Sequence, residues 1–206
     1  MVYALSDLLV HPARFFGQIN QDPPDFPVPL FIVGSGGLIS LFTPYFIYAL
    51  FPQQGVVNII FSPYRVAWEL AAPFIAWFLL SLGLFLLCRI FSGTGKFPAT
   101  LQTAGYGMLP LTLIAIMALV TSPLSLTGVA MTLSPDLQMF VLYTEIVLYL
   151  LLVAWSIYLW TCAMEKTHAL SRGRSLAASA IVGILYVFWA LALFRMVMIF
   201  VFSHLQ

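Results

Sequence analysis

Ionisable side chains occur inside or beside long apolar runs of this sequence, where charge is costly. Glu69, Glu145 and Arg195 lie within such runs, and Arg65 stands one helical turn before Glu69. A charge at the centre of a membrane helix costs about 2.5 to 3.5 kcal/mol on insertion scales, so each of these residues needs a partner or a role. We therefore take these four residues as candidate binding residues.

The predicted depths of these residues indicate how they pair. At 1.5 Å per residue, Glu145 lies roughly 10 Å inside the fourth apolar run, and Arg195 lies a similar distance from the end of the fifth. If these helices are adjacent, an ion pair is the simplest way to keep both charges. Arg65 and Glu69 form an i,i+4 pair that joins this cluster or stands apart from it. Three interpretations stay open: the pairs fix helix register, they line an outer polar cavity for a lipid headgroup, a peptide or an ion, or they have a catalytic or proton-relay role.

A different kind of candidate lies at Tyr106 and Pro110. The run GYGMLP over residues 105–110 places a proline after closely spaced glycines. A proline inside a helix frees a carbonyl and kinks the chain, while glycines let another helix or a ligand approach. This segment is predicted to be either a packing kink or part of a binding site.

Patterns typical of catalysis or metal binding do not occur in the sequence. It contains no H-E-x-x-H and no G-x-S-x-G motif, and His11, His168 and His204 are far apart. The stretch SGTGK at 92–96 lacks P-loop spacing and is predicted to be a turn. We therefore predict a non-enzyme with no catalytic residues, cofactor or metal, and we expect His168 to be a solvated loop residue.

The composition is that of an integral membrane protein. The 206 residues are 62% hydrophobic and 7% charged, with a mean hydropathy of +1.03, against about 25% charged residues in soluble domains. The net charge of +1 and the lack of basic runs argue against a nucleic-acid partner and leave membrane lipids as the expected one. Cys88 and Cys162 are isolated and are predicted to be packing residues.

The pattern predicts an all-α membrane bundle of five transmembrane helices behind an N-terminal segment. Residues 1–27 contain an interfacial amphipathic helix, bent or divided at Pro12, and a linker. Residues 28–206 form the transmembrane domain, since each span needs about 20 apolar residues. The predicted spans are 28–51, 65–91, 98–121, 138–164 and 175–203. In the fifth, Ser175, Ser179 and Gly183 recur at four-residue steps and are expected to face a neighbouring helix.

Basic residues in short loops predict the orientation. Six of the eight Lys and Arg residues fall in the N-terminal segment and in the loops after the second and fourth spans. They are Arg14, Arg89, Lys96, Lys166, Arg172 and Arg174. Because cytoplasmic loops are enriched in Lys and Arg, the N-terminus is predicted to be cytoplasmic and the C-terminus outside.

Three short motifs, in this order along the chain, resemble those of the Yip family, the Ypt/Rab-interacting integral membrane proteins. The residues are Pro12, Phe15 and Phe16; then Gly105, Tyr106 and Pro110; then His168, Leu170, Ser171, Arg172, Arg174 and Ala177. The resemblance implies about five spans and a trafficking or membrane-organising role. It also implies, for eukaryotic members, a cytosolic N-terminus linked to Rab GTPases in early secretory membranes.

The chain departs from the eukaryotic pattern at its N-terminus. The segment before the first span is short and lacks the Asp-Leu-Tyr-Gly-Pro stretch of those members, which argues against a Rab-type GTPase partner. The short form is similar to archaeal and bacterial members and predicts a prokaryotic cell membrane. The expected function is non-enzymatic membrane organisation, a trafficking-like role, or binding of other membrane proteins or of a second copy. The alternative is a small transporter, channel or lipid-translocating protein using the outer polar cluster.

Overall fold

The protein is helical throughout the part that its computed structural model describes, which is residues 5–50, 63–126 and 134–203. The helices are α1 (Leu5–Val10), α2 (Pro12–Ile19), α3 (Pro27–Leu50), α4 (Pro63–Ile90), α5 (Phe97–Gly107), α6 (Leu109–Leu126), α7 (Pro135–His168) and α8 (Arg172–Ser203). Residues 91–96 form a turn between α4 and α5, in agreement with the turn predicted for SGTGK.

The lengths of these helices confirm a helical membrane bundle. Among the described residues, four stretches are long and apolar enough to cross a bilayer. They are Val66–Ile90, Phe97–Thr121, Met139–His168 and Arg172–Ala190. The first long helix, α3, contributes a shorter described apolar stretch, Pro27–Thr43. The stretch Phe97–Thr121 consists of two helices, α5 and α6, which are separated only by Met108.

Prolines divide the chain where the sequence predicts a bend or a kink. The N-terminal helix is split at His11, so that α2 begins at Pro12 in the first-turn position that proline favours. The stretch Phe97–Thr121 is interrupted at Met108, whose N–H donates to the Gly105 carbonyl at 3.1 Å in a tighter turn. The α-helical pattern resumes when Thr112 N–H donates to the Met108 carbonyl at 3.0 Å. Pro110 lacks an N–H and cannot complete the regular helix here.

The short helix α5 is the centre of the bundle and packs against α3, α4 and α7. From Thr100 to Gly107 it is buried at every position except Leu101, which is half-buried. Two indole groups from neighbouring helices bind its backbone. Trp77 Nε1 donates to the Leu101 carbonyl at 2.8 Å, and Trp160 Nε1 donates to the Ala104 carbonyl at 3.0 Å. In a continuous helix the Met108 N–H would donate to the Ala104 carbonyl. Here it donates to the Gly105 carbonyl instead, and the Trp160 N–H takes its place at Ala104.

Glycines of α5 allow this close packing. A Cβ at Gly105 would lie 2.7 Å from Cβ of Pro29 and 3.0 Å from Nε1 of Trp77. A Cβ at Gly107 would overlap the indole ring of Trp160. The backbone of α5 therefore lies against side chains of three other helices at distances that only glycine permits.

The small residues of α8 are buried, and Gly183 lies against α7. Ser175 and Ser179 are fully buried, and a Cβ at Gly183 would lie 2.5 Å from Cγ1 of Ile157. Small side chains are a common means of close helix contact in membranes, where apolar surface gives no advantage over lipid.

The apolar face of α2 lies on the end of α7, and this fixes the N-terminal segment to the bundle. Phe15, Phe16 and Ile19 are buried, and the Phe15 ring meets the Tyr106 ring edge-on at a centroid distance of 5.1 Å. Asn20 Nδ2 donates to Oγ1 of Thr167 at 3.1 Å. The N-terminal helices are thus amphipathic and are also packed against the transmembrane bundle.

The prediction that His168 is a solvated loop residue was wrong. Its side chain is 1% exposed, and its Nε2 lies 2.8 Å from Oγ1 of Thr100. The turn after α4 folds over this histidine, and Thr94 N–H donates to the His168 carbonyl at 3.1 Å. Gly93 and Gly95 leave room for the ring, since a Cβ at either would lie within 3.0 Å of His168 Nδ1. This arrangement cannot be predicted from local sequence patterns, because Thr100 and His168 are 68 positions apart.

The substitution Gly107→Ala tests the close packing of α5. We expect it to lower the free energy of unfolding by about 1–3 kcal/mol, because the added methyl group must displace the Trp160 ring. Thermal unfolding of the purified protein in detergent measures the change. Gly17→Ala is the matched control: a Cβ there meets nothing within 4 Å, so its expected effect is neutral or stabilising by about 0.5–1 kcal/mol. Equal melting temperatures for the two variants would contradict the packing argument.

Candidate functional site

A cavity of about 380 Å³ lies among α3, α4, α6 and α8. Most of its wall is apolar, and small residues of α4 and α6 leave the space open. Ala72, Pro73 and Ala76 come from α4, and Ala115 and Ala118 come from α6. The cavity lies toward the end of the bundle opposite to His168, because its α4 wall belongs to the first half of that helix.

The polar groups of the cavity lie where α3 approaches α4. Ser40 Oγ donates to Oε2 of Glu69 at 2.8 Å. The two helices can approach this closely because residue 37 is a glycine. A Cβ at Gly37 would lie 3.0 Å from the Glu69 carbonyl oxygen and 3.1 Å from Cγ of Pro73. On the α6 side, Thr112 Oγ1 donates to the Ile32 carbonyl at 3.1 Å. A carboxylate and a hydroxyl are thereby fixed together on a wall that is mostly apolar.

Aromatic side chains also line the cavity. Trp68 precedes Glu69 on α4 and is 46% exposed. Tyr186 and Trp189 come from α8, with ring centroids 6.0 Å apart. A carboxylate among aromatic rings can bind a cation, because ring faces carry partial negative charge.

A second space, of about 200 Å³, continues from this cavity along α4 and α8. The two spaces share Ala76, Tyr186 and Trp189. The rest of the second space is lined by Leu79, Leu80, Gly83, Val182 and Leu185. Leu79 and Leu185 are 52% and 61% exposed, so this groove has an open apolar rim.

Comparison with known proteins agrees with this architecture. Residues 6–194 match the model of the Yip1 domain family. The chain belongs to the Yip1 domain family. It is also 28% identical over 126 residues to an uncharacterized protein of Methanocaldococcus jannaschii, which covers 59% of this chain and 87% of the relative. No solved structure matches.

Tyr106 and Pro110, two residues of the motifs that resemble the Yip family, are buried in the bundle. Tyr106 is buried in contact with Phe15, and Pro110 is buried just beyond the break at Met108. Neither lines the cavity, although both were candidate binding residues. They border Met108 and Leu111, which are on the cavity wall. Binding by Tyr106 or Pro110 stays a prediction, and what the structure shows of them is packing.

The charged candidates are separated in space. Glu69 is on the cavity wall, whereas Glu145 is half-buried on α7 and is not among the lining residues. Oε1 of Glu145 is buried and has no hydrogen-bond partner among the described residues. The side chains of Arg65 and Arg195 lie outside the described residues. Both ion pairs, Arg65 with Glu69 and Glu145 with Arg195, therefore stay predictions.

Sequence reasoning missed several residues of the site. Ser40, Thr112 and Trp189 were not among the candidate binding residues. A serine or threonine inside an apolar run is a weak signal, because such hydroxyls commonly bond their own helix backbone. Thr43, for example, donates to the Ile39 carbonyl at 2.8 Å.

Cysteine labelling tests whether the cavity is open to small solutes. We expect Ala72→Cys to react with a small water-soluble methanethiosulfonate about tenfold or more faster than Ala178→Cys, because thiol reactivity follows access. Ala72 is on the cavity wall, whereas Ala178 is fully buried on α8. Mass spectrometry of the intact protein measures the rates, and both native cysteines are buried, which keeps the background low. Equally slow labelling of both variants would show a closed cavity.

Proposed function

We propose that this Yip1-domain protein is a non-enzymatic membrane protein that organises the bilayer and binds other membrane components at the end that carries α1 and α2. The observation that supports this proposal best is the way α2 holds α1. Phe15, Phe16 and Ile19 bind α2 to the bundle, and α1 packs on α2. The amphipathic N-terminal segment is therefore held in a fixed position beside the spans.

The outer surface of α1 has the character of an interfacial helix. Leu8 is fully buried, but the next two residues, Leu9 and Val10, are 47% and 67% exposed. His11 and Arg14 are exposed beside them. An apolar helix face of this kind enters the headgroup boundary by roughly 5–10 Å and spreads the lipids of one leaflet. A helix fixed in this position would concentrate that effect next to the protein.

Basic side chains surround the same end. Lys166, Arg172 and Arg174 are exposed, as are Arg89 and Lys96. Each basic residue near an anionic membrane surface contributes about 1 kcal/mol of attraction. Their distribution supports our proposal that this end is cytoplasmic and that the protein resides in a prokaryotic cell membrane, with its C-terminus outside.

Membrane lipids, other membrane proteins and a second copy of this chain are the partners that we propose. A Rab-type GTPase is not among the partners that we propose. The non-enzymatic part of the proposal has its own test. Turnover by the purified protein that is abolished by Glu145→Gln would refute it.

Reconstitution into liposomes tests the membrane-organising role. Wild-type protein is expected to give smaller or tubular vesicles in electron cryomicroscopy, whereas the double substitution Leu9→Ser and Val10→Ser is expected to restore the protein-free size distribution. The cause is the loss of apolar volume inserted into one leaflet. The control, Leu9→Phe with Val10→Leu, keeps the face apolar and should behave like wild type. Identical vesicles from all three proteins and from lipid alone would refute the role.

The cavity at Glu69 favours a second candidate function, a small transporter or lipid-translocating protein. A carboxylate held by a hydroxyl inside an apolar wall is a polar point at which a translocated group would bind. On this candidate, proteoliposomes should translocate ions, solutes or fluorescently labelled lipid, and Glu69→Gln should reduce the rate by about tenfold, because the fixed charge is lost. Glu165→Gln, at the other end of the bundle, is the matched control. Lack of flux for ions, solutes and lipids would refute it.

A further inference from the structure

We propose that the pocket at the break between α1 and α2 binds the phosphate of an anionic phospholipid, whose acyl chain lies along the exposed face of α7. This inference deepens the proposed function and rests on it for the placement of this end of the bundle at the membrane surface. It adds a lipid class and a defined site, which a general attraction between basic residues and the membrane does not require.

The pocket has a volume of about 410 Å³ and lies where the chain breaks between α1 and α2. Residues 10–14 form one side of it, and Tyr158 of α7 forms the other. The packing of α2 on α7 keeps the two sides together, because Phe15 and Phe16 are buried in the bundle. The pocket is therefore formed by two segments that the fold holds in place.

The polar side chains of the pocket are suited to a phosphate. His11 and Arg14 line it and are exposed, and the His11 side chain makes no capping hydrogen bond to α2. A guanidinium binds phosphate through two parallel hydrogen bonds, and an imidazole has a ring N–H to donate. The Tyr158 hydroxyl is close to the Cys162 thiol. Because sulfur is a weak acceptor, this hydroxyl can donate to a phosphate oxygen instead.

The charge around the pocket is positive. Arg172, the first residue of α8, lies within electrostatic range of the pocket's tyrosine and adds a second guanidinium. Asp7 of α1 is not among the lining residues. In the described ranges the recorded ion pair joins Lys166 to Glu165 at 3.6 Å, so neither Arg14 nor Arg172 is paired with a carboxylate there. All seven Asp and Glu residues of the chain lie in those ranges, which excludes an undescribed carboxylate side chain as a partner.

The depth of the pocket matches the phosphate layer of a bilayer. The apolar stretch of α7 begins at Met139, and Tyr158 lies about 29 Å further along the helix at 1.5 Å per residue. The hydrocarbon core is about 30 Å thick, so Tyr158 reaches the headgroup boundary at the α2 end. Tyrosine is enriched at this boundary. A group bound in the pocket is therefore level with the phosphates of the surrounding lipids.

An exposed apolar face of α7 explains why the ligand is a lipid and not a free phosphate. Ala154, Leu151 and Val147 are exposed and precede Tyr158 by successive steps of three or four residues, which places them on one helix face. From Tyr158 to Val147 the distance along α7 is about 17 Å, while one leaflet of hydrocarbon is about 15 Å thick. A lipid with its phosphate in the pocket can therefore lay an acyl chain along this face.

Native mass spectrometry of the full-length protein in detergent tests this site. The probes are phosphatidylglycerol and phosphatidylcholine with identical acyl chains, together with glycerol phosphate, which has the phosphate but no chain. We expect phosphatidylglycerol to bind about fivefold or more tightly than phosphatidylcholine, whose ammonium group offsets the phosphate charge. Glycerol phosphate at equal concentration should not displace it.

Two variants distinguish a defined site from general electrostatic attraction. Arg14→Gln removes one charge and is expected to weaken phosphatidylglycerol binding about fivefold. Tyr158→Phe removes only a hydroxyl and leaves the net charge unchanged, and it should weaken binding by about threefold or more. Lys96→Gln is the matched control, because Lys96 is exposed at the same end of the bundle but does not line the pocket. It should keep the wild-type preference.

A third variant decides the outcome if Arg14→Gln does not fold. Ala13 lines the pocket and is exposed, so Ala13→Trp can fill the space without displacing the buried face of α2. We expect it to weaken phosphatidylglycerol binding. Equal binding of the two lipids to the wild type, displacement by glycerol phosphate, or equal losses in Arg14→Gln and Lys96→Gln would overturn the proposal. These results do not bear on the vesicle-shape test of Leu9 and Val10, so the two proposals can fail separately.

Discussion

The contact between Trp160 of α7 and the backbone of α5 is the interaction on which the rest of the structure depends. The indole ring lies against Gly107, and its N–H binds the Ala104 carbonyl at 3.0 Å. In lipid, an unpaired carbonyl costs several kcal/mol and cannot be satisfied by water. The break at Met108 exposes such a carbonyl, and Trp160 both satisfies it and fills the space beside it. Glycine at 107 is required for this dual role, because any side chain would push the ring away.

The break at Met108 connects the packed core with the cavity. Before the break, α5 is buried among α3, α4 and α7. After the break, α6 packs mainly on α3 and α7. From the break onward, Met108, Leu111 and Thr112 form part of the cavity wall. A continuous helix through this position would extend the direction of α5. Pro110, which prevents a continuous helix here, thus also sets the direction of α6 and the space between α6, α4 and α8.

The sequence predicts best what depends on composition and on local chemistry. The apolar runs indicated the membrane helices, Pro12 and Pro110 indicated the interruptions, and the small residues of α8 indicated its contact face. It failed at His168, because burial there depends on a turn and on Thr100, which are remote in sequence. The Ser40–Glu69 hydrogen bond also depends on the relative register of two helices, and periodicity within one helix does not contain that information. For Glu145 and Arg195, equal predicted depth does not establish adjacency, and the pair stays a prediction.

The position of Glu69 bears on whether its charge serves structure alone. A buried polar pair is a weak source of stability, since well-packed apolar residues of similar volume commonly stabilise a protein as much or more. A purely structural role would also be best served by tight packing around the pair. Instead, alanines of α4 and α6 leave a cavity beside the carboxylate, although small side chains there give up the dispersion contacts that a filled space would provide. The open space beside the Ser40–Glu69 hydrogen bond is therefore the observation that most favours the second candidate function proposed above.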